Sequence, residues 1–413
     1  MKQMLEALGA NAKNAARKLA TASTDEKNNW LSAMADAIEQ SEAEIIAANE
    51  IDMKEAEKAG LSSAMLDRLK LDHARIKAMA DGVRHVVSLP DPVGKILSET
   101  ERPNGLKIQK VSVPIGVIGI IYESRPNVTV DSTVLCLKAG NPVVLRGGSE
   151  AIRSNIALAE CISRAGQNAG MPAGAVCVIP CTDRAAVGMM VKMDQYINLV
   201  IPRGGEGLIR AVVEQATMPV IKHYKGVCHI YIDSSCDLKR ACEIVRNAKC
   251  QRPGVCNALE TLLINESVLA EFAPMIDSAL SDVTFHADPS FKALVSRAQA
   301  ADESDWAKEY LTLELAVKTV KNLREAIDHI NTYGSGHSDS ILTNDPDAAE
   351  QFLNEVDSAA VYVNSSTRFT DGGEFGMGAE IGISTDKIHA RGPMGLDELT
   401  VYKYKIRGNG QIR

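Results

Sequence analysis

The chain lacks the features that mark membrane, secreted and nucleic-acid-binding proteins. No apolar run approaches the ~18 residues of a membrane span. Residues 1–20, MKQMLEALGANAKNAARKLA, carry charged or amide groups every few positions instead of the apolar core of a secretory signal. A cytoplasmic protein that does not use the membrane is expected. Cationic residues are not in excess: 45 Lys and Arg against 53 Asp and Glu give a net charge of −8, which argues against nucleic acid as a partner. The cysteines, at 136, 161, 177, 181, 228, 236, 242, 250 and 256, are an odd set without a CxxC pair. That pattern fits neither a disulfide framework nor a zinc site, so reduced thiols and no bound metal are expected. Internal repeats, low-complexity tracts and a Pro/Ser-rich linker are also missing.

What is present is an ordinary globular composition, 45% apolar and 24% charged, over 413 residues. At roughly 100 to 200 residues per domain this suffices for two or three domains. The N-terminal part reads as helices. Ser23 with Glu26, and Ser41 with Glu44, form S-x-x-E capping boxes. They are followed at helical spacing by Trp30, Leu31, Met34 and Ile38, and by Ile45 and Ile46. From about Lys107 the period changes: IQKVSVPIGVIGIIY alternates and then becomes a continuous β-branched run, the mark of a strand buried on both faces. Similar runs at 142–145, 175–179 and 196–201 alternate with helix-like segments. This predicts a parallel sheet with helices on both faces and a ligand at its carboxyl edge. A second alternation, with strands near 227–233, 261–264 and 313–320 and a helix near 238–249, predicts a second α/β domain after a break near 226.

Two glycine-rich turns follow strands of the first sheet: Arg146-Gly147-Gly148-Ser149 and Arg203-Gly204-Gly205-Glu206-Gly207. Backbone without Cβ at a helix N-terminus can approach a phosphate, and the amides and dipole favour the anion. Neither turn is GxGxxG, and each also reads as a plain strand-to-helix connection. Cys256 stands apart from thiols such as Cys136 and Cys177, whose apolar contexts packing explains. Its approach, Gln251-Arg252-Pro253-Gly254-Val255, is irregular and cationic, and a thiol beside Arg can be favoured as a thiolate nucleophile. Asn127, in Tyr122-Glu123-Ser124-Arg125-Pro126-Asn127, can donate its amide to a developing oxyanion or serve as a turn or cap residue. His73, His85 and His286 have no partner at metal spacing.

The stretches YESRPNVTVDS, VIPRGGEGLI, QRPGVCNALET and STRFTDGGEFGMGAEIGIS, with the C-terminal block ending in RGNGQIR, resemble the γ-glutamyl phosphate reductase family of the aldehyde dehydrogenase superfamily. The resemblance covers essentially the whole chain. It implies an α/β, aldehyde dehydrogenase-like fold: a Rossmann-like cofactor domain, an α/β catalytic domain and a β oligomerisation flap. On this chain these parts fall at 1–226 with a flap strand at about 105–113, at 227–390, and at 391–413. The resemblance further implies NADPH-dependent reduction of L-glutamyl 5-phosphate to L-glutamate 5-semialdehyde with phosphate release, through a cysteine thioester, in proline biosynthesis. It implies a homo-oligomer of at least two subunits and makes the preceding glutamate kinase a candidate partner.

Carried over residue by residue, Cys256 falls on the nucleophile of that family and Asn127 on its oxyanion asparagine. Arg146 stands where a lysine usually holds the adenosine ribose, with Ser149 and Glu150 just beyond. Gly204 and Gly205 fall where a helix begins under the NADP pyrophosphate. Glu309, with Glu314 as a rival, falls on the glutamate that holds the nicotinamide ribose. For a substrate that carries a phosphate, an α-carboxylate and an α-ammonium, the candidates are Arg125, Arg252, Ser366, Thr367 and Arg368, arginine being suited to bidentate capture of carboxylate or phosphate.

One departure carries information. Hydrolytic aldehyde dehydrogenases read E-L-G-G at the turn between domains, and that glutamate activates water; this chain reads His223-Tyr224-Lys225-Gly226. An enzyme whose acyl group arrives from an acyl phosphate has no use for hydrolysis of its thioester. A CoA-acylating dehydrogenase would lack the glutamate too, a hydrolytic one would need only water, and a non-catalytic binding scaffold is the alternative from another class. The acyl acceptor and thiol-dependent turnover separate these readings.

Overall fold

The computed structural model describes residues 1–413 and divides into two compact units, one of residues 1–222, 377–382 and 394–413, the other of residues 223–376 and 383–393. The stretch after 376 is shared between the two, a sharing that no linker-like composition announces.

The first unit opens with helices Lys2–Leu19, Thr24–Gln40, Glu42–Lys58, Ser63–Leu69 and His73–Ser88. The Ser23 box forms in full: its hydroxyl accepts from the Glu26 amide at 3.2 Å, and the Glu26 carboxylate accepts from the Ser23 amide at 2.7 Å. The expected Ser41 box does not form. Ser41 still ends the preceding helix, its amide bonded to Ala37 at 2.9 Å, and it has a near-helical backbone (φ −96°, ψ 12°) instead of the extended one a cap requires.

Strands β1 (Ile96–Glu101) and β2 (Lys107–Pro114) pair antiparallel. Strands β3 (Ile118–Tyr122), β4 (Val143–Gly147), β5 (Val176–Val178) and β6 (Leu199–Arg203) form a parallel sheet in the order β5-β4-β3-β6. The run IQKVSVPIGVIGIIY is therefore two strands in different sheets, because the chain breaks between Pro114 and Gly116, whose φ is 122°. Every residue of β3 and β4 is buried, as expected of a covered parallel sheet. Leu5, Ala12, Met190 and Val212 from the helices pack with Val144 and Val200 in one core, and burying one such large side chain is worth about 1.5–3 kcal/mol.

The second unit holds β7 (Cys228–Ile232), β8 (Leu259–Asn265), β9 (Thr284–Ala287), β10 (Gln299–Ala300), β11 (Glu314–Val320), β12 (Ser338–Leu342) and β13 (Ala360–Val363). They form one parallel sheet in the order β10-β9-β11-β8-β7-β12-β13. Strand periodicity divides its residues between two cores: Ile230, Ile232, Leu262 and Ile264 pack with Phe272 and Phe285, while Tyr231, Leu263 and Ile341 pack with Ile327 and Phe352. Short strands β14 (Ile383–Ser384) and β15 (Gly392–Pro393) pair antiparallel.

The last strand, β16 (Thr400–Arg407), belongs to the first unit and runs antiparallel to β2, from Thr400 opposite Pro114 to Arg407 opposite Lys107. With β1 it completes a small separate sheet whose two outer strands are exposed almost throughout. Among the described residues no helix is long and apolar enough to cross a membrane. None of the nine cysteines is joined in a disulfide.

Candidate active site

In the first sheet the carboxyl ends of β4, β3 and β6 lie level, with Tyr122 opposite Gly147 on one side and Arg203 on the other. The chain leaves β3 for β4 on one side and later returns beside β3 as β6. The crevice beyond Tyr122 is thus the topological switch point, where open α/β sheets bind their ligands. A cavity of about 510 Å³ opens there, its wall including Glu123, Arg146, Ser149, Glu150, Arg184 and Leu208.

Gly205 is the N-cap of helix Glu206–Gln215, and its amide donates to the Glu123 carboxylate at 3.1 Å. An anion already sits on this helix terminus, as its unpaired amides and dipole favour. A Cβ on Gly204 would lie 2.4 Å from the Glu123 carboxylate, so a side chain there would displace that carboxylate. Arg146 is buried, and its guanidinium donates to the carbonyls of Gly147 at 3.0 Å and Thr182 at 3.1 Å, while its buried Nε has no hydrogen-bond partner. Glu150 accepts from the Ser124 amide and, at 2.9 Å, from its hydroxyl. It thereby holds the turn after β3, where Ser124 has φ 47°. Ser149 opens the short turn Ser149–Ala151. An orphaned buried arginine N–H and the exposed Arg184 on one cavity fit a phosphorylated nucleotide. The sequence reading had passed over Glu123 and Arg184, since neither lies in a recognisable phosphate motif.

Asn127 begins helix Asn127–Lys138 and is exposed; its carboxamide donates to Asp131 one turn on at 2.7 Å. Arg125, half-buried, lies in the turn between β3 and that helix.

In the second unit the Cys256 loop lies at the amino edge of the sheet, between helix Leu238–Cys250 and β8. Cys228, the first residue of β7, is level with Leu259. The Cys256 thiol is partly exposed. The Cys228 thiol donates to the Cys256 carbonyl at 3.3 Å, and the Thr367 hydroxyl donates to the Asn257 carbonyl at 2.8 Å. The Asn257 carboxamide donates to the Thr370 carbonyl at 2.9 Å and accepts from the Arg368 guanidinium, which also bonds Gln251 at 3.0 Å. Burial, and then the like charge of exposed Arg252, pull Arg368 below the usual arginine range, and the Cys256 thiol acts on it in the opposite sense. Ser366 caps the turn Thr367–Phe369 by accepting from the Arg368 amide at 3.3 Å.

The turn at 223–226 adjoins this loop. A Cβ on Gly226 would fall 1.9 Å from the Cys256 carbonyl oxygen and 2.5 Å from its Cα, so only glycine fits. The Gly226 amide donates to Glu309 Oε1 at 2.8 Å. His223 Nδ1 donates to the Ile383 carbonyl at 2.9 Å, which puts its proton on Nδ1. Glu314 instead accepts from the Thr312 hydroxyl and bonds His286, contacts that hold its carboxyl below the usual range. Below Glu309, Lys249 and Glu260 form a fully buried pair at 2.6 Å, and Glu260 also accepts from the Leu311 amide at 3.1 Å. Burial pushes Glu260 up and Lys249 down, and their mutual attraction opposes both shifts.

The Aldehyde dehydrogenase family model matches residues 2–314 and 306–403. A γ-glutamyl phosphate reductase of Moorella thermoacetica is 55% identical over 407 residues, 98% of this chain and 97% of the relative. One of Geobacter metallireducens is 53% identical over 413 residues, 100% and 99%. The crystal structure of γ-glutamyl phosphate reductase from Thermotoga maritima superposes with a TM-score of 0.98 at 47% identity, covering 99% of each chain. The chain belongs to the γ-glutamyl phosphate reductase branch of the aldehyde dehydrogenase family. An acetylating aldehyde dehydrogenase of Geobacillus thermoglucosidasius, at 17% identity and a TM-score of 0.70, shares the fold. Enzymes of the aldehyde dehydrogenase family use nicotinamide cofactors. The residues that surround Cys256, namely Cys228, Asn257 and Thr370, escaped the sequence reading because two of them lie far away along the chain and all three look like ordinary core or turn residues.

Proposed function

We propose that the protein reduces L-glutamyl 5-phosphate to L-glutamate 5-semialdehyde with NADPH and releases phosphate, as a cytoplasmic homo-oligomer in proline biosynthesis. The observation that carries this reading is the setting of Cys256: a partly exposed residue whose neighbour Asn257 holds the Arg368 guanidinium, beside a turn with His223 where hydrolytic relatives place a glutamate. Relatives named γ-glutamyl phosphate reductase support the choice of substrate.

In this reading the Cys256 thiolate attacks the acyl-phosphate carbonyl carbon. The oxyanion donors assigned to it are the Asn127 carboxamide and the Cys256 amide, and one donor of this kind is worth about 2.7–4 kcal/mol of barrier. The carbon–oxygen bond to phosphate breaks, phosphate leaves with the electron pair, and a thioester remains. A nicotinamide cofactor, when bound, would supply the hydride for reduction of this thioester. Cys256 then departs as thiolate while the carbonyl re-forms, and the aldehyde is released. Arg146, Ser149, Glu150, Gly204, Gly205 and Arg184 would hold the cofactor, and Glu309 its nicotinamide ribose. Arg125, Arg252, Ser366 and Arg368 are proposed for the anionic groups of the substrate. The reading also makes the kinase that forms the acyl phosphate a partner. The exposed sheet of β1, β2 and β16, with Tyr402, Tyr404 and Ile406 on one face, supports pairing with a second subunit.

The test is oxidation of the semialdehyde with NADP and with NAD, each with and without phosphate. Turnover should require phosphate, accept arsenate in its place and favour NADP. Sustained turnover in phosphate-free buffer would mean that the thioester is hydrolysed, and turnover restored by CoA would mean a CoA-acylating enzyme.

A further inference from the structure

The polar side chains behind Cys256 form a connected chain. The Cys228 thiol, on the Cys256 carbonyl, lies 3.8 Å from His337 Nδ1. His337 Nδ1 bonds the Ser338 hydroxyl at 2.7 Å, and that hydroxyl bonds Thr370 Oγ1 at 2.6 Å. Thr370 accepts through its carbonyl from the Asn257 carboxamide, and the Tyr362 hydroxyl closes on its Oγ1 at 2.7 Å. Thr367 adds the bond to the Asn257 carbonyl. Cys228, His337, Ser338, Thr367 and Thr370 are all fully buried, so none of these hydroxyls or thiols is presented to a ligand in solution. Packing does not require such polar groups there; burying one is unfavourable unless it is hydrogen-bonded, and here two of the donors, Cys228 and Thr367, end on successive carbonyls, those of residues 256 and 257.

We propose that Thr367 and Cys228 are positioning residues for the nucleophile: buried donors that grip the carbonyls of Asn257 and Cys256 and so fix the direction in which the Cys256 thiol points. This rests on Cys256 being the nucleophile, and it gives Thr367 a role other than direct contact with substrate. Gly226 also packs closely on the Cys256 carbonyl, since a Cβ there would fall 1.9 Å from that oxygen. The grip explains how a thiol on an irregular loop can be held in one attack geometry.

The experiment compares Thr367→Val, which keeps the shape and removes the donor, with Thr367→Ser, which keeps the donor. Two readouts are taken: steady-state kinetics of semialdehyde oxidation with phosphate, and the pH profile of iodoacetamide alkylation followed on the peptide that contains Cys256. Misplacement of a reacting group costs rate more than binding, so Thr367→Val should lower kcat about tenfold or more, leave KM within about twofold and slow Cys256 alkylation in parallel. Thr367→Ser should recover most of the loss in both readouts. A raised KM with kcat and alkylation intact would make Thr367 a substrate ligand and overturn the proposal, as would a valine variant indistinguishable from the parent. If the valine variant fails to fold, Cys228→Ala against Cys228→Ser carries the same comparison, with equal alkylation in both counting against the grip. Appreciable turnover by Cys256→Ala would overturn the nucleophile itself, an outcome that the alkylation profiles do not imitate.

Discussion

Glu309 Oε1 accepts the amide of Gly226 at 2.8 Å. The carboxylate expected to hold a nicotinamide ribose is therefore tied to the turn that backs Cys256, and the segment carrying it is itself pinned by the bond from Leu311 to Glu260. Loss of a hydrogen bond to a charged group costs about 1.5–3 kcal/mol. Glu309→Ala should accordingly lower stability in urea titrations by about that amount and lower kcat, whereas Glu309→Gln, which keeps an acceptor, should restore stability. Unchanged stability in the alanine variant would remove the structural half of this assignment.

Cys256 and Cys136 make a contrast between chemistry and packing. Cys256→Ala should abolish turnover while folding and cofactor binding stay near the parent. Cys136 is fully buried, and burial drives its thiol well above the usual range. Cys136→Ala should leave kcat intact and cost about 1 kcal/mol through the small cavity it leaves. Thermal melts and single-turnover assays of the pair read both effects.

Two buried histidines set the acid side of stability. Burial, and then the neighbouring His223, hold His337 at about 3; burial, and then His229 and Lys318, hold His329 at about 2. Both lie below the ordinary 6.5, so below that pH the unfolded chain takes up protons that the folded one refuses. Stability is complete above pH 6.5 and falls below it, by about 1.4 kcal/mol per pH unit for each histidine until its folded value is reached. Urea midpoints measured from about pH 7 downward should show this slope, and His337→Gln should make it shallower. An identical slope in that variant would show that other groups set it.

Arg184 bears on cofactor choice. It is exposed on the wall of the cavity at the carboxyl edge of the first sheet, and a guanidinium suits capture of a phosphate. Arg184→Ala should raise the Kd for NADPH about tenfold, or about 1.4 kcal/mol, and barely change that for NADH, as read by cofactor fluorescence. Equal weakening of both cofactors would assign the arginine to a group they share.

The small sheet makes an assembly prediction. Tyr402, Tyr404 and Ile406 alternate along β16, each about half exposed, at 48%, 58% and 60%. Charging that face with Tyr404→Lys and Ile406→Lys should release monomers in light scattering while circular dichroism stays unchanged. Monomers in the parent protein would sink the pairing.

The sequence by itself determined the alternation of buried strands and helices, because an aliphatic run such as 118–122 has no place except a covered sheet, and it marked Cys256 by the irregular, cationic loop before it. Family-specific stretches led to the same thiol. Local patterns could not say that Pro114 and Gly116 divide one apolar run between two sheets, nor that Ser41 ends one helix instead of capping the next. Only the tertiary structure decided that Cys228, Thr367 and Thr370, 28 to 114 positions from Cys256 in the chain, meet behind its loop. The reason is physical: hydrogen-bond partners across a parallel sheet are chosen by strand order and register, and a single serine, threonine or cysteine in a buried strand carries no local mark of the carbonyl it will face.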